Sequence, residues 1–354
     1  MSIHLPTFSD QQITSQPNIL LVKLSSLGDV LHNLPIVWDL RSRLPNARID
    51  WVVEEAYVHL LEPLRSQPGF RGIDRIIPFS LRRWKHHLLK RESWQEFFAF
   101  KSALQEVTYD YVIETQGLIK SALVCALAKK APGATVAGIG NATQFSGYEP
   151  QARMFYTQSV QVPEQCHAVD RSRWVMSSAL DWPLIGREEA PQFYPAEFVD
   201  AISAPLVAGL EKPYVLFFHS TARAAKRWPN EDWIALGNAL TRIGYQVVLP
   251  WGSESERLVS QALCQQIPGS FVPERFSIEE AFSVISSAAL TIGVDTGLTH
   301  LAAVLGKPSI EIYCDSPLWK TEGYWSNQII NLGDMQHPPS VQDVLTASLK
   351  LLAQ

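Results

Sequence analysis

Cysteine is scarce in this chain of 354 residues: Cys125, Cys166, Cys264 and Cys314 lie far apart and never form a C-x-x-C pair. That spacing points to a reducing compartment and argues against a structural zinc site. Long apolar runs are missing as well. None approaches the roughly 20 residues that a membrane-spanning helix needs. Charge is thin, with 18% Asp, Glu, Lys and Arg and a formal net charge of −5, a balance that speaks against bulk nucleic-acid binding. The first eighteen residues are polar and carry no basic stretch leading into an apolar one, so no signal peptide is expected there. Walker-type phosphate loops and Gly-x-Ser-x-Gly elbows do not occur. Gly138-Ile-Gly-Asn-Ala-Thr143 begins like a dinucleotide fingerprint, ends in Thr without a clear helix after it, and reads as a turn. His86-His87 has no partner at metal-ligand spacing and reads as a surface pair; no metal is expected. What remains is a soluble, cytoplasmic protein whose chemistry has to come from elsewhere.

Alternation is what the chain has in quantity. Apolar β-rich runs at 18–24, 48–53, 73–78, 111–114 and 135–139 are separated by helical periodicity over about 30–44, 57–65, 93–107 and 118–129. Strands separated by helices pair in parallel through right-handed crossovers, which predicts a doubly wound α/β domain. After a less regular region at 148–162 and a helix over 165–180, a proline-rich stretch reads as a linker. A second series follows: strand 214–219, helix 231–243, strand 246–250, helices 254–266 and 278–286, strand 290–294, a helix after it, strand 309–313 and a closing helix over 340–352. The expected division is a flexible leader at 1–18, a first Rossmann-like domain at 19–182, a linker at 183–212, a second at 213–336 and a closing helical segment at 337–354. Ligands of such sheets bind outside the carboxyl ends of the strands.

Three corners at strand ends carry the candidate chemistry. In Gly293-Val-Asp-Thr-Gly297 an apolar strand runs straight into a helix, leaving unpaired backbone N–H groups and a helix dipole aimed at one point, a natural phosphate site. In Ser25-Ser-Leu-Gly-Asp29 the carboxylate of Asp29 could act as a general base or simply cap the helix beginning at Val30. Gly28 before it suits close approach by a ligand or by another element. The loop His219-Ser-Thr-Ala-Arg-Ala-Ala-Lys-Arg-Trp-Pro229 offers the hydroxyls of Ser220 and Thr221 and the charges of Arg223, Lys226 and Arg227, fit to grip a diphosphate or to form a solvated basic loop. Between Arg71 and Arg91, Arg71, Arg75, Arg82, Arg83, Lys85, Lys90 and Arg91 face only Asp74, which suggests an anionic acceptor or a membrane surface, or a plain solvated face.

Taken together, Lys23-Leu-Ser-Ser-Leu-Gly-Asp-Val-Leu-His-Asn-Leu-Pro35, Thr221-Ala-Arg-Ala-Ala-Lys-Arg-Trp-Pro229 and Gly293-Val-Asp-Thr-Gly-Leu-Thr-His-Leu-Ala302 resemble the lipopolysaccharide heptosyltransferase family. Ser80-Leu-Arg-Arg-Trp84, Tyr109-Asp-Tyr-Val-Ile-Glu-Thr-Gln-Gly-Leu-Ile-Lys-Ser121 and His167-Ala-Val-Asp-Arg171 extend the likeness, which runs from Asn18 to the end. The resemblance implies a GT-B fold, two Rossmann-like doubly wound domains facing a central cleft, and an inverting glycosyltransferase that needs no metal or other cofactor. Its donor would be ADP-heptose or another nucleoside diphosphate sugar, and its acceptor an anionic glycolipid at the inner face of the cytoplasmic membrane. By the same resemblance Asp29 is the general base. Thr221, Lys226, Glu256, Asp295, Thr296, Gly297 and His300 would hold the donor, and Ser25, Ser26, Arg82, Arg83, Lys85 and Lys120 the acceptor. The chain departs from the family pattern at Ala222, Ala224, Ala225 and Phe276, all on the donor side. A different nucleotide sugar, a binding protein without turnover and a related epimerase therefore stand as alternatives.

Overall fold

A computed structural model describes residues 16–86, 90–202, 210 and 213–353. Residues 1–15 of the expected leader, His87, and residues 203–209, 211 and 212 of the expected linker lie outside the described residues. Tertiary contacts divide the chain into two units, one comprising Met1–Ser25 with His32–Gln192, the other Ser26–Leu31 with Phe193–Gln354. The boundary at Gln192 falls inside the stretch read as a linker.

The first unit is built on strands β1 (Asn18–Val22), β2 (Arg48–Glu54), β3 (Arg75–Phe79), β4 (Tyr109–Glu114), β5 (Lys130–Ile139) and β6 (Gln158–Val160), in the order β3-β2-β1-β4-β5-β6. Every neighbouring pair is parallel, with Leu20 opposite both Asp50 and Val112. Helices cover both faces of such a sheet, so its central strands read as unbroken apolar runs, and Ile19 to Val22 are fully buried. The second unit holds β7 (Tyr214–Phe218), β8 (Gln246–Val248), β9 (Leu290–Val294), β10 (Ser309–Tyr313) and β11 (Ile329–Gly333), also all parallel, in the order β11-β10-β9-β7-β8. In each sheet the direction of winding reverses once, between β1 and β4 in the first and between β7 and β9 in the second. The loops at such reversals are where doubly wound sheets bind ligands.

The helices are α1 (Leu27–Leu31), α2 (Pro35–Arg43), α3 (Val58–Leu61), α4 (Leu81–His86), α5 (Arg91–Gln105), α6 (Ile119–Leu127), α7 (Ala168–Ala179), α8 (Ala196–Ala201), α9 (Asn230–Arg242), α10 (Glu254–Cys264), α11 (Ile278–Ser287), α12 (Gly297–Val304), α13 (Leu318–Thr321) and α14 (Val341–Leu352). The single helix expected from Val30 to about Leu44 is in fact two, and the first begins earlier, at Leu27. Pro35 has no N–H to donate into the preceding turn, so α1 stops at Leu31 and Pro35 opens α2. The helix expected over 57–65 shrinks to α3 between 3₁₀ turns at Glu55–Tyr57 and Glu62–Leu64, with Pro63 opening the second. Short α4 and α13 and the strands β6 and β11 go beyond the sequence reading. Gly138, in the expected turn, ends beside the Tyr156 ring. A Cβ there would sit 2.3 Å from it, so close packing explains this glycine without any nucleotide.

Candidate functional site

At the β7/β9 reversal, charges of opposite sign are stacked in a row. Asp295 follows β9, and its carboxylate takes Lys226 Nζ on one oxygen and His300 Nε2, at 2.9 Å, on the other. Thr321 Oγ1 donates to the same oxygen as His300, at 3.3 Å. The second ring nitrogen of His300 lies 2.8 Å from Glu311 Oε1, and Glu311 Oε2 accepts from Tyr313 OH at 3.1 Å and from the Gly323 amide at 2.9 Å. Asp295, His300 and Glu311 are all buried. Burial alone would raise the Asp295 carboxyl, but the hydrogen bond and charge of His300, with Lys226, hold it well below the ordinary carboxylate range. Burial alone would lower His300; the Glu311 charge and the bonds to Asp295 and Glu311 push it up to about 10. The family resemblance puts His300 near the diphosphate. Both its ring nitrogens are engaged by carboxylates, Asp295 and Glu311.

Beside this row begins α12. Thr296 is its N-cap in extended backbone, without a side-chain cap bond, and Gly297 is its first residue. The opening amides of a helix have no partner within it, and they lie next to Lys226 through Asp295, an arrangement suited to an anion. Lys226 itself is placed by packing. It closes a 3₁₀ turn, Ala224–Lys226, and two residues on, Trp228 is buried against Trp233 with ring centroids 5.0 Å apart. The Trp228 indole N–H donates to Pro339 O at 3.0 Å, so the end of the loop is pinned to the segment before α14.

Other expected donor groups divide their duties differently. Thr221 is buried, and its carbonyl accepts from Arg227 Nη2 at 3.5 Å. Ser220 Oγ lies 2.9 Å from His219 Nδ1, and His219 Nε2 lies 2.9 Å from Ser260 Oγ. Burial lowers His219 to about 4, so this ring is neutral. Glu256, expected on a ribose, accepts from the amides of Gly252 and Ser253 at 2.8 and 3.0 Å and completes a capping box on α10. Those bonds occupy one carboxylate oxygen, Oε2.

Asp29 sits in the first turn of α1, one residue before the helix start expected at Val30. Its Oδ2 accepts from Ser26 N at 3.0 Å and Ser26 Oγ at 2.8 Å, so Ser26 orients the carboxylate. Ser26–Leu31 groups with the second unit, because α1 packs on α12. A Cβ on Gly28 would come 3.1 Å from His300 Cδ2, and one on Gly297 would come 2.7 Å from Leu27 Cδ2. The close approach anticipated at Gly28 is thus an approach by a helix.

The β1/β4 reversal has a different character. Ser25 Oγ accepts from Lys120 Nζ at 2.7 Å and from Gln116 Nε2 at 3.3 Å, and Lys120 also pairs with Glu54 at 2.9 Å. Gln116 in turn accepts from the Leu24 amide at 2.9 Å. The basic excess counted between Arg71 and Arg91 is reduced by acids from elsewhere in the fold: Arg75 pairs with Asp50 and Glu106, and Arg83 with Glu55 and Glu96. The side chains of Arg82 and Lys85 lie outside the described residues. Glu311, Gln116 and Thr321 are additions that sequence reasoning misses. A signal for Glu311 does exist, since an acid inside a fully buried strand must have a partner.

A model of glycosyltransferase family 9 (heptosyltransferase) matches residues 97–349. Lipopolysaccharide heptosyltransferase 1 of Pseudomonas aeruginosa is 34% identical over 329 residues, covering 93% of this chain and 87% of that protein. The Escherichia coli K12 protein of the same name is 33% identical over 315 residues, 88% of this chain and 92% of that protein. The solved structure of E. coli heptosyltransferase WaaC with ADP superposes with a TM-score of 0.78 at 29% identity, covering 94% of this chain and 99% of that one.

Proposed function

The chain belongs to glycosyltransferase family 9, and from that premise we propose that it transfers heptose from ADP-heptose to a lipopolysaccharide inner-core glycolipid, with inversion at the anomeric carbon and without a metal ion. The GT-B fold class and the glycosyltransferase activity follow from the family. The observation that carries the finer reading is the Lys226–Asp295 pair at the start of α12. A nucleoside diphosphate leaves with growing negative charge, and an ammonium beside helix-terminal amides stabilises that charge. The E. coli enzyme has also been solved with ADP-2-deoxy-2-fluoro heptose, which supports the nucleotide and the sugar together.

In this scheme Lys226, Thr221 and the backbone of Thr296 and Gly297 hold the diphosphate, and Asp295 with Glu256 meets the rest of the donor. Asp29, oriented by Ser26, takes the proton from the attacking acceptor hydroxyl as the new C–O bond forms and the bond to ADP breaks. Ser25, Lys120, Arg82, Arg83 and Lys85 bind the anionic acceptor. The enzyme would meet that lipid-borne acceptor from the cytoplasmic side, as a peripheral protein. No helix among the described residues is long and apolar enough to cross a membrane.

Incubation with ADP-heptose and a lipid A inner-core acceptor tests the reading directly. Asp29→Asn should lower kcat by about 10²–10⁴ while leaving ADP affinity intact. Turnover of that variant at the wild-type rate would remove Asp29 from its role as base. Ala222, Ala224 and Phe276 keep a second donor class in the comparison. Faster transfer from a GDP- or UDP-sugar would replace ADP-heptose, and tight binding with no transfer to any acceptor would indicate a binding protein.

A further inference from the structure

We propose that Glu311 and His300 form a charge store behind Asp295, which frees Lys226 to change partner from the Asp295 carboxylate to the donor diphosphate. This deepens the donor reading above and rests on it for the identity of the anion.

Protons decide the charge of the row. A neutral imidazole has one N–H and one bare nitrogen. His300 has a carboxylate oxygen 2.9 Å from one ring nitrogen and 2.8 Å from the other, and an ionised carboxylate can only accept. Satisfying both contacts takes an imidazolium, with an N–H at each end. Glu311 supplies the second acceptor, and its remaining oxygen is held by Tyr313 OH and the Gly323 amide. The row Lys226, Asp295, His300, Glu311 then alternates in sign and sums to zero.

A diphosphate arriving at the start of α12 competes for the ammonium of Lys226. If Lys226 were the only cation on Asp295, its departure would strand a buried carboxylate, which is strongly unfavourable. With His300 charged, Asp295 keeps a cation and the Thr321 hydroxyl, so the transfer of Lys226 costs little. His300 and Glu311 are positioning residues: neither needs to touch the donor. The negative charge of Glu311 favours the imidazolium, in line with the raised His300. Other charged groups on the elements around α12 are Asp29 on α1, Glu279 and Glu280 on α11, and Lys320 on α13. Tyr313 on β10 is raised by burial, Glu311 and Asp295 and remains a neutral phenol.

The test uses the full chain and ADP, with affinity measured by calorimetry from pH 6 to pH 9. Wild-type affinity should follow only the ionisation of ADP itself, whose terminal phosphate loses its second proton at about pH 6, because His300 remains charged across that range. Glu311→Gln keeps the shape and removes the charge, so its affinity should match wild type at pH 6 and fall about tenfold below it by pH 9. A Glu311→Gln profile parallel to wild type, or a loss equal at every pH, would overturn the proposal, the second because a structural role alone explains it. A second measurement needs no variant. The NMR signals of the His300 ring in the wild-type protein should be those of an imidazolium at pH 8, and a neutral ring at pH 7 sinks the idea even if Glu311→Gln fails to fold. Failure of the donor reading looks different: wild type would bind no ADP at any pH while the His300 signals still showed an imidazolium.

Discussion

The two winding reversals of this protein solve the same problem in opposite ways. At the β1/β4 corner, buried Glu114 is satisfied by dipoles: its oxygens accept from the amides of Gln116 and Gly117 at 2.8–3.0 Å and from Tyr156 OH at 2.7 Å. At the β7/β9 corner, buried Asp295 is satisfied by cations, Lys226 and His300. Neutral donors cannot be drawn away by an incoming anion, whereas an ammonium can. The first arrangement makes a rigid floor, and the second keeps a cation able to shift. The contrast lies between these two carboxylates, since the first corner also carries an ammonium, Lys120 on buried Glu54.

The largest expected effect comes from removing the ammonium. Lys226→Met should lower kcat/KM by about 10²–10³, the scale seen when one preorganised stabiliser of developing charge is lost. Lys120→Met at the other corner should leave ADP affinity unchanged and raise only the acceptor KM. Equal damage to ADP binding from both would erase the contrast. Glu114→Gln should lower stability by about 2 kcal/mol, since it weakens bonds to a charged acceptor, with ADP affinity unaltered. Urea denaturation alongside calorimetry reads both quantities.

A smaller effect is the response of stability to pH. His300 is raised in the folded state, to about 10, so its contribution is complete below its ordinary value of 6.5 and is lost as pH rises through the folded value. Asp295 is lowered, so its contribution is present above its ordinary value of 3.8 and is lost as pH falls towards the folded value. Denaturation midpoints should therefore decline from pH 6.5 to pH 10 in wild type and decline less in His300→Gln. An equal slope in both would take His300 out of the balance. Least affected of all should be Trp228→Phe. It keeps the packing on Trp233, removes the bond to Pro339, and should cost about 1 kcal/mol by thermal unfolding.

Much of this architecture is legible in the amino-acid sequence. The fold follows from apolar strands alternating with helical periodicity, and the corners follow from Asp-Thr-Gly and Ser-Leu-Gly-Asp placed at strand ends. Lys226 can be picked out in sequence as a candidate phosphate contact but not as the partner of Asp295, because that pair joins residues 69 apart in sequence. Gly28 can be flagged for close approach, whereas identifying α12 as what approaches takes tertiary contacts. The motif marks His300 and says nothing of its orientation, since only the fold brings Glu311 behind it. Pro35 is visible in the sequence, yet apolar periodicity continues across it and hides the end of α1. The local caps on α10, α11 and α14 each follow a Ser-x-x-acid pattern that sequence alone carries.

The bond from Trp228 to Pro339 ties the Lys226 loop to the strap before α14. Val344 and Leu351 of that helix share a core with Trp228 and Trp233, and the strap before it receives the indole proton. A protease that nicked the chain just before Val341 would loosen the wall against which the Lys226 loop is set. Resistance to proteolysis at that strap is therefore a readout of how the Lys226 loop is held, obtainable without substrate.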